Sequence, residues 1–121
     1  MAKFILLFAG DDDVEARLPK AESDEVYKRI GEWFATHGQA GKIVGGEELQ
    51  PRNTAKTVRF DRGGKPTVTD GPYMEAKELV GGYAIVEAAD LNEAIELAKG
   101  WPGRSSVEVR PLVDHSGGAT A

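Results

Sequence analysis

Residues Thr69–Leu97 read TDGPYMEAKELVGGYAIVEAADLNEAIEL and set three local signals in a row. Asp70-Gly71-Pro72 marks a rigid turn, because Pro72 presets its own φ and biases Gly71 toward extended geometry. Gly81-Gly82 then opens a strand over 82–88, with Tyr83, Ile85 and Glu87 on one face and Ala84, Val86 and Ala88 on the other. Asp90 follows as a helix N-cap, and Glu93 three residues later completes a capping-box pair. Leu91, Ala94, Ile95 and Ala98 recur at helical spacing toward a core, until Gly100 and Pro102 end the helix.

Working outward, Thr57–Asp61 alternates Val58 and Phe60 with polar residues, and Arg62-Gly63-Gly64-Lys65 closes it as a hairpin onto Pro66–Asp70. Further upstream, 42–49 is a strand whose Gly45-Gly46 pair signals a bulge or a close backbone approach. Before it, Ser23 is placed to cap a helix carrying Val26, Tyr27, Ile30, Trp33 and Phe34, stopped at Gly38 or Gly41. The N-terminal run Phe4–Phe8 is apolar at both parities, as in a central strand covered on both faces. Downstream, 106–112 forms the last strand. The order predicts an α+β fold of ferredoxin-like βαββαβ type with an extra hairpin, two helices lying on one face of an antiparallel sheet. One domain over 1–113 is expected, and 114–121, small and polar, reads as a disordered tail.

An apolar sheet face opposite the helices needs a cover, and a second copy supplies one, so a homodimer is expected. The chain has 121 residues and a net charge of −5, which disfavours nucleic acid and anionic membranes as partners. It has no cysteine, which removes thiol nucleophiles and disulfides and suits a reducing, cytoplasmic setting. The N-terminal apolar run is too short for a signal sequence or a membrane span.

Several separated blocks resemble the YCII-related family, in particular its DGPF branch. They are Thr69-Asp70-Gly71-Pro72-Tyr73-x-Glu75-x-Lys77-Glu78, Gly81-Gly82-Tyr83, Asp90-Leu91-x-Glu93-Ala94, Val44-Gly45-Gly46-Glu47-x-Leu49 and Ser106–Pro111. Tyr73 stands where the branch usually has Phe, adding a hydroxyl. The resemblance implies ferredoxin-like subunits paired as a dimeric α/β barrel. It also implies a family whose members mostly lack an assigned reaction, and a branch linked with extracytoplasmic-function sigma factors. A His-Asp pair has been suggested for the wider family; Asp70 matches its aspartate. The histidine has no counterpart, since the first helix carries Tyr27 and Ile30 in that region and His37 lies near the helix end.

Asp70 is the candidate catalytic residue, as a general base or a ligand anchor. The structural alternative is an Asx-type turn in which its carboxylate accepts nearby backbone amides. Tyr73, Glu75 and Lys77 are candidate ligand-binding residues beside it, against the plainer reading of a solvated loop. Arg59 is placed to clamp an anionic group, and Arg110 shares that potential unless paired with Asp61, Glu87 or Glu108 across the sheet. Asp11-Asp12-Asp13 lacks the spacing of a calcium loop and reads as a solvated turn, so no metal is expected. Gly81-Gly82 precedes a strand and lacks the spacing of a nucleotide loop, and no cofactor is expected. Trp33 and Trp101 read as core packing. The expected function is binding of a small polar or anionic ligand near Asp70. A small cofactor-independent enzyme with Asp70 as acid or base is one alternative, and a regulatory partner of a sigma factor is another.

Overall fold

The computed structural model describes residues 1–10, 16–71, 79–103 and 106–115. The first strand, β1 (Ala2–Gly10), is central as its two-sided apolarity predicts. It pairs antiparallel with β5 (Leu79–Ala88) on one side and with β6 (Ser106–Pro111) on the other. With β2 (Ile43–Glu48) pairing antiparallel on the far side of β5, the sheet order is β2-β5-β1-β6. This is the ferredoxin-like order, produced by two βαβ halves interleaved around the central pair.

Helices α1 (Lys20–Gln39) and α2 (Leu91–Lys99) share one face of that sheet. Phe4, Leu6 and Phe8 of β1 and Ala84, Val86 and Ala88 of β5 project to this side and form the core with Trp33, Ala94 and Leu97. The small alanines let the helices approach closely, while large aromatics fill one end. Phe8 stacks on Trp101 with centroids 3.7 Å apart and planes within 9°. Trp33 meets Trp101 edge-on at 5.2 Å, the low-energy arrangement for ring quadrupoles. Both tryptophans are packing residues, as expected.

The second helix forms as its sequence indicates. Asp90 accepts the Glu93 amide at 2.9 Å, and the Glu93 carboxylate reaches back to the Ala89 amide at 3.2 Å. Its buried stripe differs from the sequence expectation in one respect: Leu97 is buried, whereas Leu91 is 42% exposed. Leu91 is the first helical residue, and the buried stripe runs through Ala94 and Leu97 toward the C-terminal turn. For α1 the N-cap lies four residues before Ser23. Pro19, with φ −55° and ψ 144°, is the N-cap without a side-chain cap, and the Ser23 amide already bonds the Pro19 carbonyl at 3.0 Å. The fixed φ of Pro19 leads directly into the helix, so Ser23 is inside its first turn. At the other end Gly41 takes φ +76° and the Lys42 amide bonds the His37 carbonyl, closing the helix through a left-handed residue.

Of the two readings of Gly45-Gly46, the close backbone approach holds: both glycines pair regularly with Ile85 and Ala84, and the register shift of β2 against β5 falls just before them, between Ile43 and Gly45. Gly46 takes φ +148°, and a Cβ there would lie 2.5 Å from the Tyr83 carbonyl oxygen. A side chain cannot fit. The hydroxyl of Tyr27 donates to Glu48 at 2.7 Å, tying α1 to the edge strand.

The extra hairpin, β3 (Lys56–Phe60) and β4 (Pro66–Asp70), is a separate two-stranded sheet joined through the short 3₁₀ turn Arg52–Thr54. Its loop is held by Asp61, whose carboxylate accepts the Gly63 and Lys65 amides at 2.8 and 2.9 Å. Gly64 at φ +83° supplies the left-handed step. Among the described residues no helix is long and apolar enough to cross a membrane.

Candidate functional site

Strand register places the hairpin's side chains before any contact is considered. Lys56 pairs with Asp70, Val58 with Val68 and Phe60 with Pro66 on one face; Thr57 with Thr69 and Arg59 with Thr67 occupy the other. Asp70 is thus the last residue of β4, at the base of the hairpin. Its carboxylate accepts a hydrogen bond from the Lys56 ammonium directly across the ladder. The chain leaves through Gly71, at φ +86° instead of the ordinary extended φ expected before proline. Lacking a Cβ, Gly71 meets no obstacle there. The Gly71 amide bonds the Ala55 carbonyl at 2.8 Å, and the Thr57 hydroxyl donates to the Gly71 carbonyl at 2.7 Å.

Among the described residues the backbone at this turn is held by Ala55 and Thr57, and not by the Asp70 side chain. Among the described residues the partner of that carboxylate is Lys56, and the pair is open to water, the Asp70 side chain being 90% exposed. An exposed ion pair of this kind contributes at most about 1 kcal/mol, so solvent or a ligand can displace either half. The sequence signal for Lys56 is register alone: counting outward from the Val58–Val68 pair on either side of the five-residue loop sets it opposite Asp70.

Arg59 leaves β3 on the face opposite Asp70. The structure brings Lys56 to Asp70 and does not bring Arg59. Arg110 lies on β6 with its Nε 3.8 Å from the Glu108 carboxylate on the same strand. Tyr73, Glu75 and Lys77, with Pro72, lie outside the described residues, as do Asp11-Asp12-Asp13 and the tail beyond residue 115. Among the described residues no three metal-ligating side chains cluster. Two shallow depressions lie elsewhere. One of about 410 Å³ lies between α2 and β6, lined by Ile95, Ala98, Trp101 and Val109. The other, about 280 Å³, is lined by Arg29, Trp33, His37 and Gly100. Neither includes Asp70 or Arg59.

A four-stranded antiparallel sheet in the order β2-β5-β1-β6, backed on one face by two helices, defines a small α+β ferredoxin-like protein with an appended hairpin. The YCII-related domain matches residues 2–116, nearly the whole chain, and the protein belongs to that family. An uncharacterized protein of Rhizobium meliloti (strain 1021) is 31% identical over 113 residues, which cover 90% of each chain.

Proposed function

We propose that this YCII-related protein, of the DGPF branch, is a cytoplasmic homodimer that binds a small polar or anionic molecule in a cleft at the base of its hairpin, with Asp70 at the edge. The observation that carries the reading is the availability of Asp70. Among the described residues its carboxylate accepts no backbone amide, and its partner is the exposed Lys56. An aspartate that tied the turn would be spent on local amides; here Thr57 and Ala55 hold the turn. Asp70 can accept from a polar ligand, and Lys56 offers an adjacent positive charge for an anionic one.

The homodimer is supported by the uncovered face of the sheet. Ile5 and Leu7 of β1 stand opposite Ile85 and Tyr83 of β5 on the side away from both helices. Their rims carry Lys3 beside Glu87 and Arg110 beside Ile5 in the ladder, so an apolar centre is framed by charge. That is the composition of a surface that pairs with its own copy. Native mass spectrometry of freshly isolated protein tests the ligand reading. A small molecule retained by the wild type and lost from Asp70→Asn is the expected result. A wild-type protein that retains none, and that no member of a metabolite-like library stabilises against heat, would defeat it.

A further inference from the structure

The β3–β4 hairpin carries large apolar side chains that its own chain leaves uncovered. Phe60 is 69% exposed, Val68 63% and Val58 50%, all on one hairpin face. Every residue of 56–70 except the partly buried Thr57 is exposed. A two-stranded hairpin without a covering layer is marginal in water, so strands of this composition call for a surface to lie on.

Charge says what that surface is. Lys56, Arg59, Arg62 and Lys65 against Asp61 and Asp70 give the hairpin a net charge of +2 in a chain of net −5, leaving −7 on the remainder. A basic hairpin is attracted to the acidic body of another copy, whereas two hairpins repel each other. Ladder register sets Glu47, Glu87 and Glu108 on the uncovered side of the sheet together with Lys3 and Arg110, so that face is nearly balanced and most of the acidic excess lies elsewhere on the body. The partner the hairpin fits is therefore acidic, and the body of this chain, at net −7, is such a partner.

We propose that the β3–β4 hairpin is a docking arm that lays Val58, Phe60 and Val68 against the body of a second copy of this chain. The Lys56–Asp70 pair lies on the same face of the arm, at its base. Docking of the arm brings the second copy up to Asp70 and supplies a wall that the described residues of the single chain do not provide. The candidate site is then shared between the two copies, one site per arm. The proposal rests on the homodimer of the preceding reading and not on its ligand.

The test replaces the arm's apolar face without changing its charge or strand propensity, as Val58→Thr with Phe60→Thr and Val68→Thr. Sedimentation equilibrium should show the dimer dissociation constant raised at least about tenfold, with the circular dichroism of the monomer unchanged. The sheet-face change Leu7→Thr is the control. If it dissociates the dimer while the arm variant keeps the wild-type constant, the arm proposal is overturned and the homodimer stands. A wild-type chain that is monomeric overturns both. Should the arm variant fail to fold, hydrogen exchange of the wild type decides. Amides of 56–70 protected in the dimer and exposed on dilution to monomer support the arm; equal exchange in both overturns it. Protection that appears only on adding another macromolecule also overturns it, giving the arm to a different partner.

Discussion

Lys56 and Asp70 face each other across the open end of the hairpin, paired by strand register and again by their side chains. The pair is the point where the arm's uncovered face meets the turn that leads back into the sheet. Because both side chains are more than half exposed, it serves poorly as a stabilising bridge and well as a place for another molecule to enter.

A double-mutant cycle with Lys56→Gln and Asp70→Asn should therefore give a coupling below about 1 kcal/mol in urea denaturation. Retention of a bound small molecule should fall with Asp70→Asn while the melting temperature holds. A loss of stability above about 2 kcal/mol with ligand retention intact would make Asp70 a structural residue.

Gly46 and Gly71 separate two reasons for glycine. At Gly46 both backbone and space forbid a side chain, since a Cβ would press on the Tyr83 carbonyl oxygen. At Gly71 the φ of +86° is the constraint, because none of the described residues lies within 4 Å of the missing Cβ. Gly46→Ala should cost about 2–4 kcal/mol and Gly71→Val about 1–3 kcal/mol. Gly71→Asn should cost less than Gly71→Val, since asparagine tolerates the left-handed region; equal costs for the two would remove the backbone explanation.

Leu6 and Leu7 are the same residue on opposite faces of β1. Leu6 is fully buried beneath the helices, and Leu7 is partly buried on the uncovered face beside Tyr83. Leu6→Ala should lower stability by about 3–5 kcal/mol at any protein concentration. Leu7→Ala should cost about 1 kcal/mol in the monomer, with its larger effect appearing as weaker dimerisation. Denaturation followed over a range of protein concentrations distinguishes them.

Asp90→Ala should destabilise the protein by about 1 kcal/mol, because the Glu93 amide loses its acceptor at the start of α2. Asp90→Ser should recover most of it, as the hydroxyl can accept the same bond. A thermal melt of the three proteins checks the order.

The features read correctly from the sequence are those decided within a few residues of themselves. Asp90 and Glu93 cap a helix wherever that helix lies, and Gly46 announces a close approach of β2 to β5 at which no side chain is tolerated. The double-sided apolarity of Phe4–Phe8 likewise marks a central strand, and the order of elements follows from the spacing of the turns. Other features required the distant chain. Pro19, and not Ser23, starts α1, and Leu97 in place of Leu91 enters the core, because burial depends on where the helix crosses the sheet. The hairpin stands apart from the main sheet, a separation that no alternation within 56–70 encodes. Asp70 was visible as a candidate from its own turn, but its charge partner was not. Lys56 lies fourteen positions away in the chain and comes beside Asp70 only through cross-strand register, which the hairpin loop and the Val58–Val68 pairing establish together.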